Sequence, residues 1–213
     1  MSLRVCVVAA GVLLVAFQAD AQKAQIQIVL PERTELATEA PFVRSAALLS
    51  DAPMRNLLIN GFPARLHYRI ERWATGGWFD DIKAAAEWDV VVKYDALGKR
   101  YHVFRAIANR AVQLGSYETA AEAEEVVSAP FRAPISLPRR GQRTYYNLVL
   151  DIETLSLTEL DEVERWLRGE LKPAVRGKKN PGTAVSRGVR TLVVRLLGGE
   201  KRRYETRSGA FRP

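Results

Sequence analysis

Apolar and polar residues alternate most regularly in the central part of the chain, between residues 60 and 105. Apolar side chains occupy every second position over much of residues 62–73 and again over residues 88–94. A period of two residues predicts β-strands with one buried and one solvated face, as in an antiparallel sheet. Between these two strands, residues 78–87 lack the alternation and predict a loop with one turn of helix across residues 83–86.

The segment after the second of these strands has the composition of a turn. Residues 95–99 read Asp-Ala-Leu-Gly-Lys, and Gly98 can adopt a positive φ. Tyr101 and Val103 then lie two positions apart and share one face of a returning strand. Residues 88–105 therefore predict a β-hairpin.

Further stretches carry weaker strand patterns, and one of them is marked by proline. These stretches are residues 24–30, 42–49, 111–114, 131–137 and 146–152. Three prolines in or beside residues 131–137 predict a strand at a sheet edge, because proline cannot donate a hydrogen bond to a neighbouring strand.

Two short helices are predicted among these strands. Pro53 suits a first helical turn and Gly61 suits a helix stop, so a helix is predicted at residues 54–60. Ser116 is a suitable N-cap for a second helix at residues 117–127, which is rich in alanine and glutamate.

Two amphipathic helices are predicted towards the C-terminus. Ser156 and Glu159 form a capping box before an apolar stripe over residues 160–171, which packs on the sheet or in the groove of a partner. Residues 180–197 place apolar and basic side chains on opposite faces of a further helix. From Glu200 onwards the polar, basic composition predicts disorder.

The N-terminus has the pattern of a secretory signal peptide. Arg4 precedes an apolar run over residues 5–17, and the small residues at 19–21 suit signal peptidase. We therefore predict cleavage after Ala21 and export to the periplasm or cell envelope. The alternative is an uncleaved membrane anchor, although the run is shorter than the ~20 apolar residues that cross a bilayer. Cys6 is the sole cysteine and lies inside this signal, so the mature chain has no thiol chemistry.

The positive charge is concentrated at the C-terminal end of the chain. The formal net charge is +8, and residues 172–213 hold twelve Lys or Arg and two Glu, a net charge of +10. Residues 22–171 therefore carry about −2 in total. These differences predict three parts: a signal peptide at residues 1–21, a folded domain at 22–171 and a basic amphipathic extension at 172–213.

Several short motifs occur in an order that matches a known family. They are Gly61-Phe62-Pro63, Glu71-Arg72, Trp78-Phe79-Asp80, the pair Tyr94 and Tyr101, and the Ala/Glu-rich stretch at residues 118–127. In this order the chain resembles, over residues 24–155, the exported bacterial family called domain of unknown function 4390. The resemblance implies an envelope location and a mostly β fold, and it carries over no catalytic residue.

The central region also contains the candidate ligand-binding residues. His67 and His102 lie on polar strand faces, which strand pairing would bring close together, and a metal site would need a third ligand such as Asp80, Asp81 or Glu87. Trp73, Trp78 and Trp88 cluster around the loop and would form a ligand or partner surface. The simpler interpretation is polar cross-strand contacts for the histidines and core packing for the tryptophans.

The basic extension supports a different hypothesis. A basic amphipathic helix suits an anionic membrane surface, with Val189 and Leu192 in the headgroup boundary and Arg187, Arg190 and Arg195 near the lipid charges. The alternative is a helix packed on the domain with a solvated basic face. Nucleic-acid binding is disfavoured, because export is predicted and no nucleic-acid fold signature is present.

These patterns together predict a mainly β (α+β) protein. The expected architecture is an antiparallel β-sandwich of about seven strands with two or three accessory helices and a basic C-terminal helix. The predicted function is a non-enzymatic envelope accessory protein that binds an anionic membrane surface or a membrane protein partner, with no cofactor. The alternative is a ligand- or metal-binding sandwich, with a hydrolase as one form of it, that uses residues 67–102.

Overall fold

The structure contains nine strands and two helices in the residues it describes. It is a computed structural model that describes residues 24–50, 52–76, 79–108, 110–155 and 201–213. The strands are β1 Gln25–Val29, β2 Phe42–Ala46, β3 Ala64–Ala74, β4 Asp81–Asp95, β5 Arg100–Ile107, β6 Arg110–Tyr117, β7 Phe131–Arg132, β8 Thr144–Thr154 and β9 Arg202–Arg207, and the helices are α1 Ala52–Ile59 and α2 Ala120–Ser128.

The strands form two antiparallel sheets. The smaller sheet has the order β1-β2-β7, and the larger has the order β6-β5-β4-β3-β8-β9. Every strand pair in both sheets is antiparallel. The predicted mostly β, sandwich-like α+β fold is therefore confirmed, and the predicted strands around residues 62–73 and 146–152 form the centre of the larger sheet.

The core lies on one face of the six-stranded sheet, which we call the inner face. Side chains alternate along β3, so Leu66, Tyr68 and Ile70 are buried, while their neighbours point to the opposite, outer face. Trp88 on β4 stacks on Tyr68 with ring centroids 5.0 Å apart. Val43 on the smaller sheet belongs to the same buried cluster. The inner face is therefore filled by apolar packing, as an antiparallel sheet with one solvated side requires.

The two helices cover this core, and the N-cap of the second helix differs from the one predicted. Helix α1 buries Met54 and Leu58 and is followed by Gly61 at φ +85°, as its predicted role as helix stop requires. Helix α2 has Thr119 as its N-cap, in a capping box with Glu122. The predicted N-cap Ser116 is wrong, because it lies in β6 opposite His102. Neither helix of the described residues is long and apolar enough to cross a membrane.

Two local predictions in the central region are also wrong. Residues 83–86 are not a loop with a helical turn, because they belong to β4, where residues 84–86 pair with β3 and Lys83 lies at a bulge. In the hairpin turn, Lys99 rather than Gly98 has a positive φ, at 51°. The side chain of Asp95 accepts a hydrogen bond from the Leu97 backbone N–H at 3.0 Å, which fixes the turn before that position.

The C-terminal residues fold back onto the larger sheet. The predicted disorder from Glu200 onwards is wrong for residues 201–213, because β9 pairs with β8 in the register Ile152↔Arg202. Phe211 exchanges two backbone hydrogen bonds with Thr144, of 2.9 and 2.8 Å. The predicted signal peptide at residues 1–21 and the predicted helices at 160–171 and 180–197 lie outside the described residues.

Candidate functional site

The outer face of the six-stranded sheet carries the candidate site. Arg65, His67, Arg69 and Glu71 occupy alternate positions of β3 and point away from the core. The strands on either side place further charged residues opposite them, since β3 pairs with both β4 and β8. Charge on this face is therefore concentrated on the central strand and its two neighbours.

The centre of the outer face is a hydrogen-bonded cluster around Asp89. Arg65 contacts Asp89 in two places, from Nε to Oδ1 at 3.0 Å and from Nη2 to Oδ2 at 3.1 Å. Its Nη1 also donates to Glu153 Oε1 at 3.1 Å. His67 Nδ1 lies 2.8 Å from the same Oδ1 of Asp89 and donates to it. This Asp89 cluster joins three strands through half-buried, charge-assisted hydrogen bonds.

The cluster changes the ionisation of both partners in the His67–Asp89 pair. The hydrogen bond to Asp89 raises the pKa of His67 above its ordinary value, against the opposing effect of burial. Burial alone would raise the pKa of Asp89, but the hydrogen bonds from His67 and Arg65 bring it below its ordinary value. The geometry thus favours an imidazolium paired with a carboxylate.

The pairing predicts a pH dependence of stability that originates at His67. A raised folded-state pKa means that the stabilisation by His67 is complete below pH 6.5 and is lost as pH rises through the folded-state pKa. We expect His67→Gln to abolish this loss of stability with rising pH. At low pH the substitution should lower the free energy of unfolding by about 1 kcal/mol. Urea unfolding measured at several pH values tests the prediction. His102→Gln is the control: its free energy of unfolding should depend on pH as that of wild type does, since the His67–Asp89 contact is intact. The same pH dependence in wild type and His67→Gln would contradict the prediction.

Strand β9 and Lys201, which precedes it, add cations to the edge of the outer face. Lys201 Nζ lies 3.7 Å from Asp151 Oδ2 and 4.0 Å from Glu153 Oε2, and Arg203 Nη1 lies 3.9 Å from Asp151 Oδ2. The other oxygen of Asp151, Oδ1, is buried without a hydrogen-bond partner. At these distances exposed pairs contribute only about 0–1 kcal/mol each. Their effect is to neutralise part of the charge of β9 within the sheet.

A second group of side chains lies at the end of the outer face, which we call the Trp73 cluster. Trp73 stacks on Tyr145 with ring centroids 6.1 Å apart, and the Arg207 guanidinium carbon lies 3.4 Å from the Tyr145 ring centroid. The Tyr145 hydroxyl donates to Asp80 Oδ2 at 3.0 Å, and Arg207 lies 3.7 Å from the same oxygen. Phe79, which precedes Asp80 in the sequence, is 88% exposed. The structure therefore brings the predicted ligand residues Trp73 and Asp80 together through Tyr145.

The two histidines do not meet. His67 lies opposite Asp89 on β4, whereas His102 lies opposite Lys93. Four residues along a strand separate these positions by about 13 Å. Asp80 precedes the other end of β4, and no three His, Cys, Asp or Glu side chains of the described residues form a group that could hold a metal ion.

The remaining predicted site residues lie outside the described residues. They are Trp78, Arg187, Val189, Arg190, Leu192 and Arg195. The sequence reasoning missed Asp89, Arg65 and Tyr145. The available signal was the series of charged residues at alternate positions of β3, which marks a polar sheet face that needs charged neighbours.

The fold and this face define a mostly β, sandwich-like α+β protein with an ion-paired outer sheet surface. Comparison with protein-family models, with curated proteins and with solved structures finds no match. The resemblance to domain of unknown function 4390 stays a prediction from the motifs.

Proposed function

We propose that the protein is a non-enzymatic accessory protein of the cell envelope that contacts an anionic membrane surface through the basic segment, residues 172–200. The predicted signal peptide supports the envelope location. The observation that carries the proposal is the pairing of β9 with β8. A membrane protein partner that presents an acidic surface is the alternative target of the same segment.

Strand pairing anchors the chain on both sides of the basic segment. Ile152 and Arg202 are register partners, so the chain leaves β8 and re-enters β9 on neighbouring strands. Residues 156–200 thus connect two points at the same end of one sheet. Binding of this segment to a surface would therefore bring the domain to that surface.

The distribution of charge supports this segment, rather than β9, as the proposed membrane contact. Arg203 and Arg207 of β9, and Lys201 just before it, lie beside acidic side chains of the sheet: Asp151, Glu153 and Asp80. Residues 172–200 carry seven Lys or Arg and one Glu, a net charge of +6. Each cation near an anionic membrane surface contributes about 1 kcal/mol, which is sufficient for reversible association when several act together.

Charge reversal in the predicted helix tests the proposal. The triple variant Arg187→Glu, Arg190→Glu, Arg195→Glu is expected to bind anionic vesicles about a hundredfold or more weakly, because three favourable interactions of about 1 kcal/mol each are lost. Sedimentation with phosphatidylserine-containing vesicles, with and without high salt, measures the effect.

A matched control separates position from total charge. Arg139, Arg140 and Arg143 are exposed residues around the turn before β8, and their replacement by Glu changes the net charge by the same amount. This control is expected to bind nearly as wild type does. Equal losses in the two triple variants, or no binding of wild type to anionic vesicles, would show that the proposal is wrong.

A further inference from the structure

The hairpin between β4 and β5 carries the most exposed large apolar side chain of the described residues. Leu97 at its tip is 97% exposed, and its backbone N–H donates to the Asp95 carboxylate at 3.0 Å. A Cβ on Gly98 would lie 2.6 Å from Oδ2 of Asp95, so a larger residue there would disturb the carboxylate that holds the turn. The turn therefore presents Leu97 to its surroundings in a defined position, although burial of a leucine is favourable.

Basic and aromatic residues of the same hairpin lie behind the tip. Residues 93–100 contain three Lys or Arg and one Asp, a net charge of +2. One of the three, Arg100, pairs with Glu118 at 2.7 Å, which leaves the tip with a small positive charge. Tyr94 and Tyr101 are register partners with ring centroids 4.8 Å apart. An apolar tip backed by tyrosines and cations suits the interface of an anionic membrane.

The tip lies at the end of the sheet where the basic segment is attached. Ala64 pairs with Thr154 of β8 on one side and with Val92 of β4 on the other, so these residues form one row across three strands. Strands β4 and β8 both run antiparallel to β3 and leave this row in the same direction. The hairpin continues for three more residues of β4, about 10 Å, before it turns. Leu97 therefore points to the side where the chain leaves β8.

The opposite end of β4 lacks this combination. Phe79 is the corresponding apolar residue there, 88% exposed and two positions before the strand begins. Asp80 and Asp81 follow it directly, and carboxylates are repelled by an anionic surface. The length of β4 separates the two ends by about 45 Å. The two exposed apolar residues thus differ in the charge beside them and in their distance from the basic segment.

We propose that the β4–β5 hairpin inserts Leu97 into the headgroup boundary of an anionic membrane, with the strands of the larger sheet steeply inclined to the membrane plane. This inference rests on the proposed membrane contact of the basic segment and adds an apolar contact and an orientation to it. The basic segment supplies electrostatic attraction, and Leu97 supplies burial of apolar surface. Phe79 and the Trp73 cluster then lie on the side away from the membrane.

Site-specific fluorescent labels test the insertion. The chain without its predicted signal peptide contains no cysteine, so Leu97→Cys and Phe79→Cys each create one labelling site. With the environment-sensitive dye NBD at residue 97, mixed phosphatidylcholine and phosphatidylserine vesicles are expected to cause a blue shift and a several-fold rise in emission, because the dye enters a less polar medium. The same dye at residue 79 should keep the emission that it has in water.

Vesicle affinity provides a second readout with matched variants. Leu97→Ser is expected to weaken binding to the same vesicles about three- to tenfold, because the burial of one apolar side chain is lost. Phe79→Ser removes an exposed apolar side chain from the opposite end and should bind as wild type does. Neither substitution should change the urea midpoint, since both side chains lie outside the core.

The failure of this inference differs from the failure of the proposed function. If wild type does not sediment with the mixed vesicles, the membrane contact and the insertion of the hairpin are both wrong. If wild type sediments but the label at residue 97 keeps its emission in water, only the insertion is overturned, and the basic segment makes the contact alone. Equal blue shifts at residues 97 and 79 would likewise overturn the proposed orientation.

Discussion

Removal of residues 201–213 is expected to lower the free energy of unfolding of the domain by about 3–5 kcal/mol. These residues form β9 and contribute Tyr204 and Phe211 to the periphery of the core. Each large apolar side chain contributes about 1.5–3 kcal/mol when fully buried, and the ordering of the segment offsets part of this gain. The truncation would also leave the edge of β8 without its partner strand.

Contacts of the residues that follow β9 explain why so polar a strand stays paired with β8. The Ser208 N–H donates to the Tyr146 carbonyl at 2.9 Å, and the Ser208 hydroxyl accepts from the Tyr146 N–H at 2.9 Å. Phe211 stacks on Tyr146 and bonds Thr144 through its backbone. These contacts lie at the end of β9 far from the basic segment. The strand is therefore anchored by its own C-terminal residues.

A pair of deletion variants measures the effect. One variant ends at residue 200, and the other lacks residues 172–199 and has a short Gly/Ser linker in their place. The second keeps β9, and shortening a connection changes loop entropy by only about 1 kcal/mol or less. Urea unfolding followed by tryptophan fluorescence should therefore show a large loss for the first variant only. A chain ending at residue 200 that is as stable as wild type would contradict the prediction.

The same pair of variants bears on the proposed membrane contact. A truncation after Leu171 removes the basic segment and β9 together, so lost membrane binding would have two explanations. Excision of residues 172–199 removes most of the basic charge and leaves β8 paired. The excision variant is thus the appropriate one for vesicle binding.

Period-two alternation predicted the central strands because each has one buried and one solvated face. In β3 the apolar positions Leu66, Tyr68 and Ile70 are the buried ones. Strand β9 gave no such signal, since Tyr204 is its only apolar residue. Its formation depends on the edge of β8 and on Phe211, which are tertiary contacts that no local pattern encodes.

Residues 83–86 show a different limit of sequence reasoning. Ala84, Ala85 and Ala86 have high helix propensity, yet they form a strand because β3 extends beside them. Tertiary pairing overrides local preference here.

The Asp89 cluster depends on strand register, which the sequence does not determine. His67 and Asp89 are 22 residues apart and become neighbours because β3 and β4 pair in the register His67↔Asp89. A shift of one residue would move Asp89 to the inner face. The predicted proximity of His67 and His102 is wrong for the same reason. The sequence indicates that both lie on polar strand faces, but it does not determine the register that separates them.

Glu124→Ala is expected to lower the free energy of unfolding by about 2–4 kcal/mol. The carboxylate of Glu124 on α2 accepts hydrogen bonds from the backbone N–H groups of Leu48, at 2.9 Å, and Leu49, at 2.5 Å. Both leucines are 1% exposed, so water cannot readily replace the lost acceptor. An unsatisfied buried donor costs about 1–3 kcal/mol, and two donors are affected.

The effect should be specific to this one carboxylate. Ala47 has a positive φ of 58°, and the turn that it forms directs the two following N–H groups towards α2. Glu125→Ala is the matched control: it removes the same side chain from the next position of the helix, where it is exposed, and should cost less than about 0.5 kcal/mol. Glu124→Gln keeps one carbonyl acceptor and should fall between the two. Urea midpoints that are equal for Glu124→Ala and Glu125→Ala would mean that the turn after β2 does not need the glutamate, and that water satisfies Leu48 and Leu49 instead.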